Sequence, residues 1–276
     1  MVILSIWLTD MFVLWLFIFI LVTVIIVVIL LMRYLKEENL RSTKKNSLLK
    51  KQMTSNIAHE LRTPVTSIRG YLETLLACPD MPLEKKRAFL ERAYNQTLRL
   101  SELISDMALI SKIEEKSSNF KKAEIDFSDV VKEVFDEFSE RTAAGNIDVE
   151  INVPSGSMMV ANRTLIYSIL RNLVENSLKY AGNDVTIHLE SFYIPSDRCY
   201  YITYYDTGSG VPEEHLERIF ERFYRLSEGR TRDDGGSGLG LSIVRNSVVF
   251  HGGDIKVMNR QGGGLHFFFT LRRKQN

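Results

Sequence analysis

Apolar and polar positions divide the chain into regions of different period. From Met11 to Met32 no residue is charged, and most are Leu, Ile, Val or Phe. A helix of about 22 residues at ~1.5 Å rise reaches roughly 33 Å, enough to cross a bilayer core. Trp7 and Trp15 lie near its outer end, and Arg33, Lys36 and Arg41 follow it directly. Aromatic rings favour the interface and positive charge stays on the cytoplasmic side, so the expectation is a single-pass anchor in the cell membrane with the remainder of the chain cytoplasmic. A signal peptide would need a basic start, a shorter apolar core and a small-residue cleavage site, and this segment has none of them. The polar, helix-favouring residues 33–52 read as a helical stalk.

The period then becomes helical. Ile57, Leu61, Val65, Ile68, Leu72 and Leu75 recur in steps of four and three, the spacing of one helix face. Cys78-Pro79-Asp80-Met81-Pro82 predicts a stop, because proline has no place inside a helix. A second helix is expected over 83–115, with Ala93, Leu100, Ile104 and Met107 on its stripe. One hairpin cannot cover both apolar stripes; two hairpins can, as a homodimeric four-helix bundle. Pro64 falls inside the first helix, beside the histidine discussed below, and predicts a kink that serves either chemistry or packing.

Beyond the charged segment 115–122, helix and strand signals alternate. Helices are expected near 127–144, 163–180 and 239–250, and strands near 147–153, 185–194, 200–205, 254–259 and 265–271. Thr186–Glu190 alternates with period two, as in a half-buried antiparallel strand. The fold class is therefore α+β: a membrane helix, a helical hairpin, and helices grouped on one face of a sheet.

Composition narrows the function only a little. The 276 residues carry a net charge of +1, which suggests no nucleic-acid partner. Cys78 and Cys199 are far apart, a spacing that suits neither a disulfide framework nor a zinc site.

Four motifs carry candidate chemistry. His59-Glu60 sits in the first helix, with the histidine about 200° from both Ile57 and Leu61 at ~3.6 residues per turn, away from the apolar seam. An exposed imidazole is a competent nucleophile near neutral pH, and an adjacent acid can take its proton. Asn172 and Asn176 lie one turn apart, so their amide oxygens project from one helix face and suit magnesium. Asp206-Thr-Gly208-Ser-Gly210 ends a strand, where a carboxylate can accept a hydrogen bond from an exocyclic amine. Gly236-Ser-Gly238-Leu239-Gly240 leads into a helix, whose backbone N–H groups suit phosphate. Between the glycine clusters, Phe220 and Phe223 are expected to anchor a polar lid (227–234) on the sheet, with Arg225 reaching phosphate. Taken singly, these residues also describe a solvated histidine, surface amides and plain glycine turns. Neither glycine cluster meets the dinucleotide or Walker pattern.

Together and in this order, His59-Glu60-Leu61-Arg62-Thr63-Pro64, Asn172–Asn176, Asp206–Gly210, Phe220–Arg225 and Gly236–Gly240 resemble the boxes of bacterial two-component sensor histidine kinases of the phosphate-sensor-like group. The resemblance implies a transmembrane anchor (1–32), a stalk (33–52), a dimerisation and histidine phosphotransfer domain (53–116) and a GHKL-type ATP-binding α/β sandwich (120–276). It implies ATP and magnesium as cofactors, His59 as phospho-acceptor and Glu60 as its acid/base helper. Asn172 and Asn176 would hold magnesium, Lys179 and Tyr180 would contact the nucleotide, and Asp206, Gly208 and Gly210 would shape the adenine pocket. Arg225, Gly236, Gly238, Leu239 and Gly240 would attend the phosphates. The implied partner is a response regulator with a receiver aspartate, which Thr63 would help to dephosphorylate by orienting water. Gyrase- and MutL-type ATPases share that fold but carry glutamate where this chain has Asn172; a neutral amide does not usefully activate water, which favours transfer over hydrolysis. Family members often add a second membrane helix, an outer sensor and a relay module; one span and no relay are expected here.

Overall fold

The structure is a computed structural model that describes residues 32–33, 36, 54–115, 120–226 and 236–272. The expected membrane run 11–32, except Met32, and nearly all of the stalk lie outside them. Among the described residues no helix is long and apolar enough to cross a membrane. The chain divides between His59 and Glu60 into two units. In the first, residues 54–59 are helical. In the second, residues 60–77 are helical, and the assignment 54–77 is called α1. It continues through Pro64, which is buried.

α1 ends where the prolines require it, and α2 runs over Leu83–Glu114. The observed stripe on α2 differs from the expected one. Ala93 is buried, but Ile104 is 53% exposed, and Leu103, Ile110 and Ile113 are covered instead. The reason lies downstream: the second half of α2 packs on a later helix, not only on its hairpin partner.

The rest of the second unit is a sheet with helices on its inward face. β1 (Ala123–Asp126) leads into α3 (Phe127–Glu137), where Asp126 caps the helix by accepting from the Ser128 N–H at 2.9 Å. The single helix expected over 127–144 is broken. Phe138 turns the chain to bury its ring, and α4 (Ser139–Ala144) restarts beyond it. β2 (Asp148–Asn152), β3 (Met158–Ala161) and α5 (Arg163–Tyr180) follow. β4 (Thr186–Ile194) and β5 (Cys199–Asp206) form a hairpin, and α6 (Gly240–Phe250), β6 (Ile255–Asn259) and β7 (Leu265–Arg272) complete the unit.

The main sheet has the order β2-β4-β5-β7-β6. β4 pairs antiparallel with β5, as its alternation suggests, but parallel with β2, so the sheet is mixed. A parallel neighbour needs a long crossover, and α5 lies within the one that joins β2 to β4. β1 and β3 form a separate two-stranded sheet; at four residues each they show too little periodicity to be expected from sequence.

Alternation sets what faces inward. Tyr200, Ile202, Tyr204 and Asp206 of β5 are buried, as are Leu265, Phe267, Phe269 and Leu271 of β7. All but Asp206 meet Ile166, Ile169, Leu170 and Leu173 of α5 in one core. At roughly 25 cal/mol per Å² of apolar surface removed from water, this layer dominates the stability of the unit.

Candidate functional site

Register explains the first functional side chain. Asp206 is the last inward position of β5, so the alternation that buries Tyr204 also buries a carboxylate, 4% exposed. A buried charge needs partners. The Ser177 hydroxyl donates to Oδ2 at 2.8 Å, the Gly208 N–H to Oδ1 at 3.1 Å, and the Leu265 N–H to Oδ1 at 3.3 Å. Tyr204 in turn donates to the Ser177 hydroxyl at 2.9 Å, and burial pushes its phenol pKa far above the ordinary value. The carboxylate is thus fixed, with acceptor capacity left on its oxygens.

The glycines after Asp206 sit where side chains do not fit. A Cβ on Gly264 would lie 1.8 Å from the Asp206 carbonyl oxygen, and the residue has φ +93°. Gly208 passes against the Ala181 backbone at the end of α5. Asn259 braces the loop, accepting from the Val211 N–H at 3.0 Å and donating to its carbonyl at 2.6 Å. Gly210 packs beside that amide.

α5 carries the next group. Asn162 caps it, accepting from the Leu165 N–H at 3.1 Å. Its apolar stripe faces the core, which leaves Asn172 and Asn176 half-buried on another face and Lys179 and Tyr180 exposed at the end. The Asn172 amide N–H donates to the Ser168 carbonyl at 2.7 Å. Its Oδ1 is directed at the start of α6, where a Cβ on Gly240 would come within 2.5 Å. With its N–H engaged, Asn172 presents an oxygen, the ligand type that magnesium takes, and Asn176 lies one turn on. Amide oxygens of this kind fit a magnesium ion, which Asn172 and Asn176 would hold. No group of three or more His, Cys, Asp or Glu side chains placed to hold a metal occurs among the described residues.

The glycine-rich loop closes the arrangement. Gly236 lies beside the Tyr180 hydroxyl and the Lys179 ammonium, at 3.7 and 3.8 Å from where its Cβ would be. The Phe223 N–H donates to the Gly238 carbonyl at 2.9 Å, while Leu239 is buried at the N-terminus of α6. Lys179 also approaches Glu175 at 3.7 Å, and Arg171 approaches the same carboxylate at 3.8 Å.

The structure thus gathers Asn172, Lys179, Tyr180, Asp206, Gly208, Gly236 and Gly240 around the C-terminal half of α5. Arg225 is half-buried, and the lid beyond Leu226 lies outside the described residues. Of the two expected lid anchors, only Phe220 packs on the sheet, edge-on to Phe267 with ring centroids 6.3 Å apart. Phe223 packs instead with Leu239, Ile243 and residues of the hairpin, from a backbone at φ +63°. In the hairpin, His59 is exposed in the first unit, and Glu60 and Thr63 are half-buried in the second.

Sequence reasoning missed Ser177, Tyr204 and Asn259. Ser177 had a signal: it interrupts the apolar stripe of α5 four residues after Leu173. Asn259 had none, since its partner lies 48 positions away.

The chain also matches known families. Residues 49–116 match the His Kinase A (phospho-acceptor) domain, and residues 161–275 match the histidine kinase-, DNA gyrase B- and HSP90-like ATPase. Over 229 residues the chain is 33% identical to sensor histidine kinase WalK of Bacillus subtilis, covering 82% of this chain and 37% of WalK. It is 30% identical to sensor histidine kinase YcbM of the same organism, covering 81% of this chain and 71% of YcbM. The chain therefore spans well under two thirds of the former and most of the latter. Among solved structures, histidine kinase ThkA in complex with response regulator protein TrrA superposes with a TM-score of 0.63 at 27% identity, covering 87% of this chain and 66% of that one.

Proposed function

This chain belongs to the two-component sensor histidine kinases, and from that premise we propose that it is a protein-histidine kinase, passing the terminal phosphoryl group of ATP to His59 and then to a response-regulator aspartate. The observation that carries the reading is the fixed Asp206 carboxylate, held by Ser177, Gly208 and Leu265 on the same half of α5 as Asn172 and the glycine-rich loop.

Each residue has a definite task. Asp206 accepts from the exocyclic amine of adenine. Lys179 and the backbone N–H groups of Gly236–Gly240 hold phosphate oxygens. Asn172 and Asn176 would hold magnesium, which when bound supplies charge neutralisation at the phosphates. A neutral ring nitrogen of His59 attacks the γ-phosphorus; the N–P bond forms as the bond to the β-phosphate oxygen breaks, and ADP leaves. Glu60 takes the ring proton. The phosphoryl group then moves from nitrogen to a carboxylate oxygen of the regulator, the kind of partner present in the ThkA complex. Thr63, four positions after His59 in the sequence, orients water for hydrolytic removal of phosphate from the regulator.

The protein works as a membrane-anchored homodimer. Leu76, Leu83, Leu90 and Tyr94 of the hairpin are 83, 81, 54 and 63% exposed in the single chain. Two such stripes cover each other in a four-helix bundle. The uncharged run 11–32 provides the anchor.

Binding of a fluorescent ATP analogue to the full chain tests the site. Asp206→Ala is expected to lose binding by about a hundredfold or more, the size expected when a buried charge-assisted hydrogen bond is removed. Wild-type affinity in Asp206→Ala would refute the assignment.

A further inference from the structure

The second half of α2 docks on the glycine-rich loop and on α6. Leu103 and Ile110 from α2, Leu239 just before α6 and Ile243 within it form a buried cluster, with Leu61 and Phe223 at its rim. Two polar contacts frame it. The Arg222 guanidinium pairs with Glu114 at the end of α2. One turn before Ile110, Asp106 approaches the loop itself, with its Oδ2 3.4 Å from the Ser237 hydroxyl.

Ser237 lies between Gly236 and Gly238, in the segment read above as the phosphate cradle. Asp106 is also within electrostatic reach of Arg171 and Glu175, which neighbour Asn172 and Asn176 on α5, and of Glu102 on its own helix. Glu175 in turn holds Lys179, whose ammonium lies beside Gly236. A hairpin carboxylate therefore stands against the loop assigned to ATP phosphates. Burial pushes the Asp106 carboxyl up to about 6, with Arg171 and the Ser237 bond opposing it. A hydroxyl–carboxylate bond is normally about 2.7–2.8 Å long, so this one is loose and easily exchanged for a better acceptor.

We propose that Asp106 is a positioning residue that competes with nucleotide phosphates: it holds the Ser237 loop docked on α2, and an incoming polyphosphate displaces it by like-charge repulsion and by taking over the loop's donors. Binding of ATP is thereby coupled to release of α2 from the loop. The inference rests on the nucleotide reading of the loop.

Calorimetric titration of the full chain with ATP, ADP and adenosine tests it, using Asp106→Asn to keep the shape and remove the charge. The variant is expected to bind ATP about tenfold more tightly, ADP by less, and adenosine unchanged, because only phosphates feel the missing charge. Unchanged ATP affinity, or an equal gain for adenosine, overturns the proposal. Adenosine binding with the same ATP affinity in wild type and Asp106→Asn sinks the role of Asp106 alone; a wild-type chain that binds neither ATP nor adenosine removes the nucleotide reading with it. Hydrogen exchange provides a second reading. ATP, but not adenosine, is expected to speed exchange at amides 103–113 of the wild-type chain, and indifference of these amides to ATP overturns the coupling.

Discussion

At the scale of single residues, the unit depends on buried polar groups whose partners are backbone. His251 is one that takes no part in the chemistry. Its Nε2 accepts from the Asn162 N–H at 2.9 Å, and its Nδ1 bonds the Ser247 carbonyl at 2.7 Å. The ring is therefore neutral, and it ties the end of α6 to the cap of α5. Burial lowers its pKa from 6.5 to about 4. A folded-state pKa below the unfolded one means the unfolded chain binds the proton first. Stability is complete above about pH 6.5 and declines towards pH 4, by up to roughly 3 kcal/mol. Urea unfolding across that range is expected to show this slope, and His251→Gln to flatten it. Gly264 makes a sharper case. With φ +93° and no room for a Cβ, Gly264→Ala is expected to cost about 1–3 kcal/mol in urea unfolding and to weaken nucleotide binding by displacing Asp206. Legibility at this scale was uneven. The place of Asp206 at a strand end could be read from Asp-Thr-Gly and that of Ser177 only from a break in the α5 stripe, whereas Asn259 acts through a partner 48 positions away, which no local pattern reveals.

At the scale of elements, period was the reliable guide. α5, β4, β5, α6 and β7 lie within a residue or so of where alternation and helical spacing put them, because each buries one whole face against the core. The failures have a common cause in tertiary contact. β1 and β3 are stable only by pairing with each other. The covered stripe of α2 is shifted because its second half meets Leu239 and Ile243. Phe223 follows that contact away from the sheet. Leu170, fully buried on α5, tests the role of its helix. Leu170→Ala is expected to destabilise the unit by about 2–5 kcal/mol in urea unfolding. Nucleotide affinity should also fall in conditions where the chain stays folded, since Asn172 and Lys179 ride on the same helix.

At the scale of the whole molecule, the apolar face of the hairpin and the uncharged run 11–32 have the most weight; the run is plain in the sequence, whereas exposed Leu83, Leu90 and Tyr94 are not among the residues expected on the α2 stripe. Leu90 is exposed in the single chain, so a charge there costs the monomer little but cannot be buried in a bundle. Light scattering of the detergent-solubilised protein is expected to give the mass of two chains for wild type and of one for Leu90→Glu, with the far-ultraviolet dichroism unchanged. A dimeric Leu90→Glu would mean that the stripe has another use.

The central claim is that one imidazole receives a phosphoryl group from bound ATP. Its most direct test is to incubate the full chain in lipid nanodiscs with γ-labelled ATP and magnesium, and to follow protein-bound label that is stable in alkali and lost in acid. The account predicts label on wild type, passed on when a receiver domain is added, and none on His59→Ala although that variant still binds ATP. Label on His59→Ala at the wild-type level would contradict it.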